Sequence, residues 1–155
     1  MQQTELTILL TIVISILLLL LFIAGIFCVI RSIHRNRRMR VMDEMEGHDF
    51  EYFCADLLER QGFAEVEVTR GSGDFGVDIL AEKEGVTYAV QCKRYNGPVG
   101  VDAVLRTYAG RDYYDRMVGV VMTNQHFTAP AVAAAEKLRI LLWDRDYVDS
   151  ILEEE

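Results

Sequence analysis

Proline is nearly absent: Pro98 and Pro130 are the only two in 155 residues. Arg31 to Met45, the stretch that follows the apolar run, holds neither a Gly/Ser-rich nor a proline-rich linker. Cysteine is scarce as well. Cys28 lies in an apolar run, which leaves Cys54 and Cys92, too few for a disulfide framework. These two read as reduced core residues. His48 and His126 stand far apart without Cys or His partners at ligand spacing, which argues against a zinc site. No internal repeat is present.

Charge is missing where its absence says most. Leu6 to Ile30 holds no Asp, Glu, Lys or Arg and is built mostly of Leu, Ile, Val and Phe. A helix of that length spans a bilayer core with some tilt. Arg31, Arg35, Arg37, Arg38 and Arg40 follow at once, whereas the other flank carries only Glu5. The positive-inside rule then places the arginine side in the cytoplasm and residues 1–5 outside. The run is too long for a cleaved signal and has no basic region ahead of it. Cys28 lacks the small preceding residue of a lipoprotein site. The expected plan is a single-pass anchor at 6–30 in the inner membrane, a connector at 31–46 and a cytoplasmic domain at 47–155. Thr7, Thr11 and Ser15 recur every four residues, the spacing of a helix-pairing face.

Basic residues are few in the remainder. From Val41 onward, 11 Lys and Arg face 23 Asp and Glu, a formal charge of −12. Broad electrostatic binding of nucleic acid needs a basic face, so any such surface must be local. Arg70, Lys93, Arg94, Arg106 and Arg111 are its candidates. About 110 residues suffice for one compact domain.

The periodicity within that domain reads α-β-β-β-α-β-α-β-α, an α/β arrangement with a mixed sheet flanked by helices. A helix over Asp49–Gln61 buries Phe50, Phe53, Cys54, Leu57 and Leu58, with Asp49 as its cap and Gly62 closing it. Val66 and Val68 alternate with acids, as in a half-buried strand. A glycine-rich loop, Arg70 to Gly76, leads into a hairpin. Its strands are Val77–Ala81 and Tyr88–Lys93, joined by Glu82-Lys83-Glu84-Gly85. Asn96-Gly97-Pro98 breaks the chain. A helix over Val101–Tyr114 follows, with Val101, Val104, Leu105 and Tyr108 inward. Met117–Met122 reads as a buried strand, Thr128 as the cap of an alanine-rich helix to Arg139, Ile140–Trp143 as a last strand, and Tyr147–Glu154 as a final helix.

The hairpin carries the chemistry. Side chains alternate along a strand, so Gln91 and Lys93 share one face and Cys92 takes the other. Antiparallel pairing brings Asp78 alongside. A carboxylate, an amide oxygen and an ammonium then converge, which equips the patch to hold a hard cation and attack a phosphodiester. The bland alternatives are an exposed Asp at a strand start and a solvated Gln and Lys. The apolar neighbours Val77, Ile79 and Leu80 weaken the first, because a lone buried carboxylate is costly. Glu51 lies at the border of its helix's apolar stripe, where it can lean over the sheet edge; an ordinary first-turn acid is the alternative. Asp74 reads as a turn residue.

Phe50-Glu51, Gly73-Asp74-Phe75-Gly76-Val77-Asp78, Gln91-Cys92-Lys93, Val120-Val121-Met122-Thr123 and Phe127-Thr128, in that order, resemble the Mrr-like catalytic domain of the restriction-endonuclease (PD-(D/E)XK) superfamily. Gln91 stands where the superfamily's name has an acid, the usual variant of this branch. The resemblance implies a restriction-endonuclease-like fold and DNA phosphodiester hydrolysis with Mg²⁺, or Mn²⁺ in its place. It implies Asp78, Gln91 and Lys93 as the catalytic set with Glu51 as accessory carboxylate. The metal would be held by Asp78, Gln91, the Cys92 backbone carbonyl and Glu51. Arg70, Ser72 and Arg94 are expected to contact DNA. The role implied is defence against foreign or modified DNA, by a homodimer, with a separate protein a candidate for target recognition. Two rivals stand beside it: a non-catalytic membrane-tethered module that binds DNA or protein, and a nuclease selective for four-way junctions.

Overall fold

The computed structural model describes residues 2–69 and 75–153. The chain divides into two units, Met1–Arg37 and Arg38–Glu155. The first is helical and belongs to α1 (Gln2–Glu44). Within α1, Thr7–Ile33 is long and apolar enough to cross a membrane, at 27 residues and mean hydropathy 3.3. At 1.5 Å per residue that stretch reaches about 40 Å, against about 30 Å of hydrocarbon. The hydroxyls of Thr7, Thr11 and Ser15 each bond a carbonyl three or four residues back, so the helix itself satisfies them.

The second unit is built on α2 (Gly47–Arg60), β1 (Ala64–Val68), β2 (Ile79–Lys83), β3 (Val86–Lys93), α3 (Val101–Tyr113), β4 (Val118–Thr123), α4 (Ala129–Leu138), β5 (Ile140–Trp143) and α5 (Arg145–Glu153). The strands lie in the order β1-β2-β3-β4-β5. β1 to β3 pair antiparallel, whereas β3, β4 and β5 run parallel. Each parallel step needs a crossover, which α3 and α4 provide. Val121 and Ile140 face α3 and α4. Val90, Cys92, Val120, Met122 and Trp143 face α2 and α5. Burial on both faces explains why β4 reads as an uninterrupted apolar run.

The hairpin turn is tighter than its sequence pattern indicates. Glu82 and Lys83 are paired strand residues opposite Thr87 and Val86. Only Glu84 and Gly85 turn, both at positive φ (53° and 79°), as a two-residue turn matching strand twist requires. Glu46, not Asp49, occupies the N-cap position of α2, without a side-chain capping bond, and Asp49 lies in the first turn. α3 is rotated from its expected phase. Ala103, Val104, Thr107 and Gly110 are buried while Leu105 and Tyr108 are exposed. The reason is close approach: a Cβ on Gly110 would lie 2.5 Å from Val77 Cγ2 and 2.7 Å from the Phe75 carbonyl oxygen. At that contact no side chain fits.

Met42 is buried in the core, so the packed unit extends upstream of Gly47. Beside it Asp43 takes a bidentate pair from Arg145, Nη1 to Oδ1 at 2.8 Å and Nη2 to Oδ2 at 2.9 Å. Asn124, fully buried, donates to Asp43 Oδ1 at 2.8 Å and exchanges bonds with the Tyr95 backbone. The end of α1, the β3 and β4 ends and the start of α5 are thus pinned together.

The Arg145 hydrogen bond holds the Asp43 carboxyl below its ordinary pKa. A depressed folded pKa means the pair's contribution is complete above the unfolded value near 4. It is lost as pH falls through the lowered folded value. Asp43→Asn is therefore expected to cost about 1–2 kcal/mol at pH 7, modest because the pair is partly exposed. The cost should shrink on acidification toward pH 3. Urea unfolding followed by fluorescence of Trp143, the single tryptophan, checks this.

Candidate active site

β2 begins at Ile79, which pairs with Val90. Asp78 therefore stands at the strand's start, beside Gln91. Its N–H donates to the Val90 carbonyl at 2.8 Å, and its own carbonyl accepts from Thr69 N at 2.9 Å. The carboxylate turns to β3: the Cys92 N–H donates to Asp78 Oδ2 at 2.6 Å. A strand residue directs its N–H and C=O to the same side, so the Cys92 carbonyl also faces the Asp78 side. Asp78 is 9% exposed, burial that a carboxylate tolerates with such bonds.

Gln91 is 1% exposed, not a solvated strand residue. Thr107 Oγ1 lies 3.4 Å from Gln91 Oε1 while bonding the Ala103 carbonyl at 2.9 Å. On the other side, a Cβ on Gly76 would come within 2.9 Å of Gln91 Nε2. The amide is wedged between α3 and the chain entering β2. Lys93, half-buried, ends β3 opposite Thr123. Among the described residues its ammonium has no hydrogen-bond or ion-pair partner. Its backbone is anchored, because Thr123 Oγ1 donates to the Lys93 carbonyl at 2.6 Å.

Cys92 points away from Gln91 and Lys93, into the α2 side of the core, where Cys54 also lies. Its thiol is held well above the ordinary range, first by the hydrogen bond with Cys54 and by burial, then by the charges of Asp78 and Glu51. Both carboxylates are thus within electrostatic reach of one sulfur. Glu51 stands on α2 with its side chain 24% exposed, 3.0 Å from His48 Nδ1. Its helix packs on the Val90 and Cys92 face of the sheet, opposite Gln91.

Arg94 does not stand free for a phosphate. Its guanidinium bonds the Asp43 carbonyl and Asn96 Oδ1. Arg70 and Ser72 lie outside the described residues. Thr107, Asn124 and Asp43 were not legible as site supports: a threonine among the buried residues of α3 is the one local signal. His126, Asp144 and Asp146 bring ligand atoms within 4.8 Å of one another. This grouping also escapes sequence spacing, because His126 follows β4 whereas Asp144 follows β5 and Asp146 lies in the first turn of α5. Asp144 is employed structurally, accepting from the Asp146 and Tyr147 N–H groups to cap α5.

A mixed sheet flanked by helices, with polar side chains gathered where an antiparallel pair meets a parallel one, defines a restriction-endonuclease-like fold. The family model for the restriction endonuclease domain Mrr_cat matches residues 42–152, and the chain belongs to that family. Among solved structures, a protein of unknown function, AF1548, is similar at 27% identity and TM-score 0.58, over 67% of this chain and 64% of that one. The DNA modification-dependent restriction endonuclease AspBHI shares the fold at 19% identity and TM-score 0.58, over 77% of this chain and 35% of its own. The MspJI restriction endonuclease, solved in complex with a 27-mer oligonucleotide, shares it at 18% and 0.54, over 78% and 30%. This chain therefore spans under two thirds of the first and about a third of the others. No curated protein matches. The domain is a restriction-endonuclease-type catalytic domain, which supports nuclease function.

Proposed function

We propose that this protein is a membrane-anchored, metal-dependent DNA endonuclease acting at Asp78, Gln91 and Lys93. The observation that carries the reading is the Asp78 carboxylate turned onto the Cys92 backbone, next to the end of β3 where the Lys93 ammonium has no partner among the described residues. The donor set fits a hard cation. Asp78, the Cys92 carbonyl and Glu51 offer oxygen ligands, and the nearby thiols face the core. Gln91 adds no negative charge and is engaged by Thr107, so its amide acts from behind, fixing a water or the metal's shell. When bound, Mg²⁺ or Mn²⁺ would acidify a coordinated water and offset charge on the phosphate.

The remaining work falls to the chain. Lys93 bonds the attacked phosphate's oxygen and orients the water, steadying charge as the new P–O bond forms and the old one breaks. Asp78 keeps its geometry through the Cys92 N–H. Glu51 assists across the sheet edge; Glu51→Gln should slow cleavage about 10-fold, less than any change at Asp78, measured as initial rates on supercoiled plasmid. The span Thr7–Ile33 anchors the protein, with the arginines on the cytoplasmic side and the domain facing the cytoplasm. Cutting both strands calls for two active sites, and a homodimer supplies them. Defence against foreign or modified DNA is the role this arrangement suits.

The test is plasmid cleavage by the detergent-purified full chain with Mg²⁺ or Mn²⁺, on methylated, unmethylated and branched substrates. Cleavage that a chelator abolishes supports the proposal. Intact substrates, with DNA binding unchanged by Asp78→Ala and by chelator, would favour a non-catalytic module.

A further inference from the structure

On the opposite end of β4 from Lys93 lies a cleft of about 490 Å³, lined by Tyr108 and Arg111 of α3, Arg116 before β4, and Lys137 and Arg139 at the end of α4. Four of the 11 basic residues after Val41 gather here, against one of the 23 acids, Asp112. Elsewhere in the same unit four cations are committed, Arg145 and Arg94 to Asp43, Arg60 to Asp56 and Lys83 to the Gln61 carbonyl, while Lys93 belongs to the active site. In the cleft Arg111 stacks on Tyr108, 4.8 Å from the ring centroid, and braces itself on Asp112. Arg116 keeps a buried Nε with no hydrogen-bond partner, an unmet donor of the kind a bound anion satisfies. Lys137 and Arg139 are exposed.

We infer that this cleft is a second nucleic-acid contact, binding backbone phosphate of the DNA that the active site cuts. The inference rests on the nuclease reading and extends it. A domain of formal charge −12 repels a phosphate backbone over most of its surface, so the backbone must be met where cations cluster. Exposed charges on the rim suit a strand running past better than an enclosed free nucleotide. β4 pairs Thr123 with Lys93 and starts at Val118, next to the cleft, which separates the two by about 17 Å at 3.4 Å per residue. The phosphate held is then on the order of five nucleotides from the one cut.

The experiment is equilibrium binding of a fluorescent duplex to the full chain in uncharged detergent and EDTA, across a salt series. Wild type is compared with the double variant Lys137→Gln, Arg139→Asn. Asn tolerates the left-handed backbone of Arg139 (φ 56°), and Trp143 fluorescence reports folding. Lys137→Gln alone, at an exposed helix position, is the fallback. The expected result is a log K against log salt slope shallower by 1–2 and affinity down about 10-fold. An unchanged slope and affinity overturn the inference. So does a cleft that binds inorganic tripolyphosphate, in wild type but not variant, while DNA binding is unaffected; the site would then serve a free polyphosphate. Plasmid cleavage in parallel separates the two claims. A wild type that cuts DNA with an unresponsive slope defeats only the cleft assignment. A responsive slope without cleavage defeats only the nuclease reading.

Discussion

Lys93→Ala and Asp78→Asn are each expected to reduce DNA cleavage by about 10³-fold or more while leaving DNA affinity within a few-fold. The two fail for different reasons. Asp78→Asn removes the charge that would hold a cation yet keeps an oxygen that can accept from the Cys92 N–H. Its fold should survive, and raised metal concentration should restore part of the activity. Lys93→Ala removes an ammonium that bonds nothing else in the described structure, so its loss has little structural cost. Metal should not rescue it. Single-turnover cleavage across a Mn²⁺ series reads out both, and equal rescue of the two variants would contradict these roles.

Gly76→Ala is the second large effect. Gly76 has φ +79°, and an added Cβ would lie 2.8 Å from Arg106 Cβ and 2.9 Å from Gln91 Nε2. Strain and overpacking together predict a loss of about 2–4 kcal/mol. The Gln91 amide is the flexible neighbour and would give way, so cleavage should fall at least 10-fold beyond the stability loss. Gly62→Ala is the control. Its φ is +81°, but nothing lies within 4 Å of the added Cβ. It should cost only the backbone strain, about 1–2 kcal/mol, and leave cleavage rates intact. Urea unfolding with plasmid cleavage on both variants separates the two terms. Equal activities in the two would show that Gly76 matters only as a turn.

The hairpin was legible because strand alternation is local: Asp78, Gln91, Cys92 and Lys93 fall where period two places them. The Ile140–Trp143 strand and the Thr128 cap followed from similarly local signals. What sequence periodicity misplaced came from tertiary contact. α3 turns Leu105 outward because the chain at Phe75–Val77 presses on Gly110, and hydrophobicity alone cannot register that approach. The Asp43–Arg145 pair joins residues 102 apart and leaves no pattern to find. Arg94 looks like a solvated cation by composition, and only the position of α1's last turn reveals its engagement. Glu51 was drawn toward the sheet edge by its helical phase. Whether it serves the metal or only its bond to His48 is what Glu51→Gln decides.

The most direct measurement is Mn²⁺ binding to the full chain, by paramagnetic resonance of the free ion, with DNA cleavage followed in the same samples. For the wild type the account predicts cleavage rising over the concentration range in which Mn²⁺ binds, and stopping with chelator. For Asp78→Asn it predicts binding at least 10-fold weaker and no cleavage in that range. Cleavage that persists in chelator, or that Asp78→Asn leaves unchanged, would contradict a metal-dependent centre at Asp78.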